Sequence, residues 1–361
     1  MFPTTSSEIL QNLAYILAFG SLSFFVAMSL APLLIRFLER NRLGQQIRDN
    51  SVDGKVSTIF RELHLKKSGT PTMGGILIWG TVVAMVLLSF IPQKLGITTN
   101  SLWSREETYI PLFTLVAAGL LGMIDDWWNI KGLGKEKGLK VRPKIIWLTI
   151  FAAAGAWWFY SKLGCLDGIA DQCLIHLPRL GDFNIGLWYI PLFILVIISS
   201  ANAVNITDGL DGLAGGLLAI AFGSFGVIAF FHGMFLLVAL CAAIVGAVLA
   251  FLWWNVPPAK FFMGDTGSYS LGATLGVIAM LTDSVVPLIF IAAVFIVETL
   301  SVIIQLASKK FFGKKVFSIA PLHHHFEKIG WPEHQIVMRF WLIGGIMAGL
   351  GLILGIVGMG N

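Results

Sequence analysis

The chain has 361 residues, of which 56% are hydrophobic and 12% charged, with 25 Lys and Arg against 20 Asp and Glu. So apolar a composition excludes an ordinary soluble domain and reads as an integral membrane protein. The net charge of +5 is poor evidence for nucleic-acid binding, because membrane topology and anionic headgroups both draw on basic residues.

In chain order, Met1 to Gln11 lacks a basic n-region and the first apolar run continues to about Phe37, so the segment reads as an uncleaved membrane helix rather than a signal peptide. Stretches long enough to cross a bilayer fall near 12–37, 74–92, 110–128, 145–161, 187–203, 213–231, 234–254, 268–282, 286–307 and 337–359. The eighth is short and Gly-rich, and only His232-Gly233 divides the sixth from the seventh. The expectation is an all-α polytopic integral membrane protein of about ten transmembrane helices, one transmembrane catalytic domain over 1–361. No connection exceeds about 35 residues, which leaves no room for a separate soluble domain.

If the connections after odd-numbered helices share one side, every Lys and Arg except Lys94, Arg105, Lys162 and Arg179 lies there. The positive-inside rule then makes segments of about 38–73, 129–144, 204–212, 255–267 and 308–336 cytoplasmic, with both termini extracytoplasmic.

The same topology sorts the acids. Asn202 to Gly212 (NAVNITDGLDG) sets Asp208 and Asp211 between two apolar stretches, Asp125 and Asp126 end the third helix, and Asp265 lies between the seventh and eighth. Charge beside hydrocarbon is costly and marks an ion, proton or substrate site. Five carboxylates level in depth on the positive side suit a hard cation such as Mg²⁺, held by one or two carboxylates and substrate phosphates. Taken singly, each is equally a solvated loop acid beside lysines.

Basic groups surround that set. Lys66 to Gly75 (KKSGTPTMGG) joins lysines to a turn whose backbone N–H groups could cradle phosphate, without the residue order of a Walker A loop. Lys137 to Lys144 adds charge to the same face, although a topology anchor explains any one lysine. His323, His324 and His325 are adjacent and cannot all point at one ion; they read either as donors to phosphate or ribose oxygens or as a surface tract. Near Asn255, the Phe261-Phe262 pair could stack on a base or belong to an interfacial aromatic belt. Glu298, Ser301 and Gln305 share one helical face, which should point to the site or a groove rather than to lipid. Cys165 and Cys173 fall in an extracytoplasmic loop where pairing is a hypothesis, and Cys241 lies within a helix.

Together these residues resemble the phospho-N-acetylmuramoyl-pentapeptide transferase family, within the polyprenyl-phosphate N-acetylhexosamine-1-phosphate transferases. The blocks Gly69 to Gly75 (GTPTMGG), Asp125-Asp126, Asn202 to Ala214 (NAVNITDGLDGLA), Phe262 to Ser268 (FMGDTGS) and Pro321 to Glu327 (PLHHHFE) carry the resemblance, which runs from about Gly44 to Phe340. It implies a ten-helix fold in the bacterial cytoplasmic membrane, with the active site facing the cytoplasm. It also implies transfer of phospho-MurNAc-pentapeptide from UDP-MurNAc-pentapeptide to undecaprenyl phosphate, giving lipid I and UMP, with Mg²⁺ required and a homodimer as the assembly.

By the same resemblance, Asp265 is the Mg²⁺ ligand, Asp125 or Asp126 takes the proton from the lipid phosphate, and His324 is counted with the catalytic residues. Asn205, Asp208, Asp211 and Phe262 match nucleotide-side positions, Phe262 as the uracil-stacking ring, and Asn255 is counted with the substrate-binding residues. Lys67 and Thr72 match phosphate-side positions, Gln305 a substrate contact, and His323 and His325 the histidine block. One departure concerns the family's Asp-Asp-x-x-Lys. This chain has Asn129 at the fifth position, so the charge falls to Lys131, Lys137 or Lys144.

Two alternatives stay open at this stage. A related transferase of GlcNAc-1-phosphate would use the same lipid, and an ion-coupled transporter would place acids at mid-membrane depth with broken helices and repeats.

Overall fold

A computed structural model describes residues 6–44, 67, 69–96, 101–104, 106–132, 141–162, 174–178 and 180–358. Lys137, Cys165, Cys173 and nearly all of the 45–68 segment lie outside the described residues. The chain forms α1 (Ser6–Arg40), α2 (Gly75–Leu88), the short α3 (Phe90–Lys94), α4 (Glu106–Ile130), α5 (Val141–Lys162), α6 (Tyr189–Thr207), α7 (Leu213–Phe231) and α8 (Phe235–Asn255). It continues through α9 (Gly264–Leu281), α10 (Val285–Ile291), α11 (Ala293–Phe312), the two-turn α12 (Leu322–Lys328) and α13 (Glu333–Val357).

Among the described residues, each of the ten apolar stretches is helical, and seven helices are long and apolar enough to cross a membrane, or eight if the α10–α11 pair is one span. The helices α5 and α9 fall short of that test, α9 for a physical reason. Its Gly, Ser and Thr residues are buried from Thr266 to Met280 by other helices, so it needs no lipid-compatible surface. α8, with 78% of its apolar window buried, packs beside α7 at the centre, whereas the windows of α1 and α13 are only 22% buried. Leu17, Phe25 and Leu33 on α1 and Leu342 and Ile346 on α13 face outward, as a bilayer-facing surface requires.

Three elements differ from the sequence expectation. The ninth stretch is broken, with α10 and α11 meeting at a 79° bend, and the sequence hides the break because no Gly or Pro stands at Ile291-Ala292-Ala293, the nearest being Pro287 within α10. The loop after α5 contains an antiparallel hairpin, β1 (Leu174–Leu177) with β2 (Gly181–Asn184), in which Leu174 pairs with Asn184 and Leu177 with Gly181. The last basic connection is partly helical, since α12 carries the histidine tract.

Close helix crossings set the geometry of the acidic end. A Cβ on Gly122 of α4 would overlap the Asp265 carbonyl, and one on Gly75 of α2 would overlap the Gly267 backbone. Neither neighbour is a flexible side-chain tip, so the crossing has no room for a methyl group. Gly122→Ala is therefore expected to destabilise the protein by about 1 to 3 kcal/mol and to lower activity by displacing Asp265. Thermal unfolding and turnover measured on the same preparation check both effects.

Candidate active site

The ends of α4 and α6 and the starts of α5 and α9 bring the acidic set together. Asp126, one turn from the end of α4, accepts hydrogen bonds from the Asp265 N–H (3.1 Å), the Thr266 N–H (3.0 Å) and the Thr266 hydroxyl (2.7 Å). The two N–H groups are orphan donors at the start of α9, so Asp126 caps that helix from across the interface. Gly264, at φ 72°, is the turn that admits it, because a Cβ there would collide with the Asp126 carboxylate and the Thr72 hydroxyl. Asp265 thus lies in the first turn of α9 rather than in the preceding loop.

Asp125 points elsewhere. Its carboxylate pairs with the Lys144 ammonium, which also lies 2.6 Å from Asp265 Oδ2. Asp265 Oδ1 accepts from the Asn205 amide at 2.7 Å, and that amide also donates to the Ser268 hydroxyl at 2.9 Å. Asn205, expected on the nucleotide side, is instead tied to the Asp265 carboxylate and fixes its orientation. Of the acids that meet here, the Asp265 side chain is 20% exposed and that of Asp125 only 3%. Asp265 is therefore the more open to an incoming ligand.

Asp208 and Asp211 flank this centre. Burial pushes the Asp208 carboxyl up to about 7, with Asp265 and Asp211 adding to the rise, while the Gly264 N–H and Lys67 oppose it. Asp211 Oδ1 pairs with Lys67 at 2.7 Å and its Oδ2 accepts from the Ala259 N–H at 3.0 Å. Lys67 also lies 2.5 Å from Glu333, whose carboxylate accepts the Asp211 N–H at 2.7 Å. Burial opposes the charge on Lys67, but Asp211 and Glu333 outweigh it and hold its ammonium above the ordinary lysine range.

Glu333 escaped the sequence reading. Its only signal is an acid in the first turn of α13, immediately after Pro332. It fixes the Lys67 ammonium, so Glu333→Gln is expected to raise KM for the nucleotide substrate about tenfold, the worth of one weakened charged hydrogen bond, with a smaller change in kcat. Steady-state kinetics over a nucleotide-sugar series checks this split.

The glycine-containing turn is corrected by its own hydrogen bonds. Gly74 N–H donates to Phe262 O (2.8 Å), Gly75 N–H to Met263 O (2.9 Å), Thr72 N–H to Leu43 O (3.0 Å), and Phe262 N–H to Pro71 O (2.8 Å). The next two amides, Ile76 and Leu77, bond to Met73 and Gly74. The 262–263 carbonyls take the amides of Gly74 and Gly75, Leu43 takes that of Thr72, and Met73 and Gly74 take those of Ile76 and Leu77, so these five do not form a phosphate cradle. Thr72 is buried at this junction, and Phe262 beside it is half-buried while Phe261 is fully buried.

Asn255 and Gln305 also serve the framework. The buried Asn255 accepts from the Gly212 N–H (2.9 Å) and donates to Phe261 O (2.9 Å), which joins two site loops. Gln305 accepts from the Val316 and Phe317 N–H groups, both at 3.0 Å, and donates to Phe317 O at 2.8 Å. Glu298, Ser301 and Gln305 are all buried, so their shared face does turn inward.

The three histidines have three different partners. His323 is fully buried, its N–H and Nδ1 facing Glu298 at 3.1 Å. Its Nε2 has no hydrogen-bond partner and abuts Gly209, where a Cβ would collide with it. His324 Nδ1 lies 2.6 Å from Glu327, and His325 Nδ1 accepts from the Ser318 N–H at 3.3 Å. Of the lysines that could replace the missing one at Asn129, Lys144 reaches the carboxylates, and Lys131 lies over the Trp127 ring at 5.0 Å.

Among the described residues, no group of three or more His, Cys, Asp or Glu could hold a metal unaided. A pair of carboxylates bridged by an ammonium does fit an ion that takes its remaining ligands from phosphate and water, as Mg²⁺ commonly does.

Comparison with known proteins gives the family. Residues 108–283 match the model of glycosyl transferase family 4, and residues 67–78 match phospho-N-acetylmuramoyl-pentapeptide-transferase signature 1. A phospho-N-acetylmuramoyl-pentapeptide-transferase from a Geobacillus species is 42% identical over 332 residues, covering 92% of this chain and 95% of the relative. One from Chloroflexus aggregans is 39% identical over 358 residues, covering 97% and 92%, and one from Bacillus cereus is 41% identical over 343 residues, covering 94% and 98%. With this much identity along almost the whole of both chains, the protein belongs to the phospho-N-acetylmuramoyl-pentapeptide-transferase family.

Proposed function

We propose that this protein transfers phospho-MurNAc-pentapeptide from UDP-MurNAc-pentapeptide to undecaprenyl phosphate, releasing UMP and leaving lipid I in the membrane for peptidoglycan synthesis. The observation that carries the reading is the meeting of Asp125, Lys144, Asp265 and Asn205 at one end of the helix bundle. A soluble diphosphate and a lipid phosphate can meet only at such a boundary. The concentration of Lys and Arg in the connections at this end supports a cytoplasmic orientation.

In this reaction an oxygen of the lipid phosphate attacks the β-phosphorus of the nucleotide. The new oxygen–phosphorus bond forms as the bond from that phosphorus to the oxygen bridging to the α-phosphate breaks, and UMP departs. Asp125 accepts the proton of the attacking phosphate when one is present. Asp126 holds the first turn of α9 so that Asp265 stays beside Asp125. Asp265, steadied by Asn205, is the residue that would hold Mg²⁺, with Asp125 beside it. When bound, the ion supplies charge neutralisation for the diphosphate. Lys67, set by Asp211 and Glu333, offers a fixed positive charge on the nucleotide side. Phe262, only half-buried, offers the ring for stacking the base.

Purified protein given undecaprenyl phosphate and radiolabelled UDP-MurNAc-pentapeptide is expected to form labelled lipid I, and to ignore UDP-GlcNAc. Turnover of UDP-GlcNAc instead assigns the related GlcNAc-1-phosphate reaction. Failure with both sugar nucleotides returns the site to ion-coupled transport.

A further inference from the structure

Lys144 occupies an unusual place for a substrate-binding lysine. It sits in the first turns of α5, and its ammonium bridges the two carboxylates offered to a cation, contacting Asp125 and lying 2.6 Å from Asp265 Oδ2. Its side chain is only 12% exposed, and the Tyr269 ring, one turn along α9 from Asp265, lies 5.5 Å from the ammonium. Asn205 holds the other oxygen of Asp265, so Oδ2 is the one turned toward Lys144. An ammonium is a compact point charge on a flexible stem with three donors. A Mg²⁺ ion needs oxygen ligands at about 2.1 Å in a near-octahedral shell. The ammonium, bridging both carboxylates, competes with an ion for the same oxygens, because each positive charge raises the cost of holding the other there.

We propose that Lys144 is a resident placeholder for the divalent cation. In the metal-free protein it neutralises Asp125 and Asp265 from the ion's own position, and the ion binds only by displacing it. This rests on the metal reading of Asp265 given above and extends it in one respect: metal loading and lysine release become a single exchange. The displaced ammonium, on its long stem, is delivered to the edge of the site where a diphosphate must lie. The protein without nucleotide therefore holds the ion weakly, and the phosphates that recruit the lysine strengthen metal binding.

Titration of the full-length protein in lipid nanodiscs with Mn²⁺, read by the free-ion electron paramagnetic resonance signal and without nucleotide, tests the exchange. Lys144→Met, which keeps the length and removes the charge, is expected to bind Mn²⁺ at least tenfold more tightly than the unaltered protein. Adding Asp265→Asn to that variant is expected to abolish the gain. Lys144→Arg, whose planar fork can bond both carboxylates, is expected to bind Mn²⁺ more weakly than the unaltered protein. Equal or weaker binding by Lys144→Met overturns the placeholder role while leaving the metal reading intact. Absence of an Asp265-dependent Mn²⁺ site in every variant overturns the metal reading itself. Should Lys144→Met fail to fold, Lys144→Arg decides alone, and binding as tight as that of the unaltered protein overturns the proposal.

Discussion

Asp265→Ala is expected to reduce lipid I formation by at least about a thousandfold, the scale on which loss of a central electrostatic group acts in a transfer reaction. The helix beneath it should survive, because the cap at the start of α9 uses the Asp265 backbone N–H and the Thr266 donors, not the Asp265 side chain. The variant also leaves Asn205 without one of its two acceptors and Lys144 with Asp125. Thermal unfolding close to that of the unaltered protein, together with lost turnover, is the expected pair of results. A variant that loses activity only in proportion to its loss of folded protein would remove Asp265 from the chemistry. Asp208→Asn provides the contrast: on the proposed division of roles it should weaken activity while Mn²⁺ binding survives, since Asp208 leans on the Gly264 N–H.

The second large effect separates two neighbours that look alike in sequence. Asp126 accepts three hydrogen bonds at the head of α9. Asp126→Asn puts an amide donor against donors and should cost about 2 to 3 kcal/mol of stability, as expected for charged hydrogen bonds lost in a buried setting. Asp125 makes no such cap and instead meets Lys144. Asp125→Asn should leave unfolding little changed and slow turnover about a hundredfold, a modest figure for a general base. The figure is modest because a lipid phosphate with a second pKa near about 6 carries its own negative charge at neutral pH. The sign of the pH effect follows. Below that pKa the nucleophile is protonated and needs the base, so the deficit of Asp125→Asn is largest there and shrinks as pH rises past about 7. A deficit that stays constant from pH 5.5 to 8 would deny Asp125 the proton-accepting role.

The acids and lysines were readable as a set because charge is rare in this chain and clusters at helix ends. Their division of labour was not. Asp125 and Asp126 are adjacent on one helix, and only the approach of Thr266 makes one a cap and leaves the other facing the site. The 69–75 block reads as a phosphate turn by composition, yet Phe262 and Met263 take the amides of Gly74 and Gly75, and Leu43 takes that of Thr72. No local pattern could reveal that partner. Gly122 and Gly75 look like ordinary membrane-helix glycines, and their importance appears only where α9 crosses them. The bend between α10 and α11 falls in unbroken apolar sequence, and Glu333 lies among loop charges until Lys67 reaches it.

The most direct test of the account is the position of the metal itself. Crystals grown with Mn²⁺ and UMP should give an anomalous difference peak within coordination distance of Asp265 Oδ2, next to Asp125, with the Lys144 ammonium moved from its present seat toward the phosphate. A peak coordinated by the His323 to His325 segment, or one flanking Asp208 and Asp211 with Lys144 still bridging Asp125 and Asp265, would contradict it.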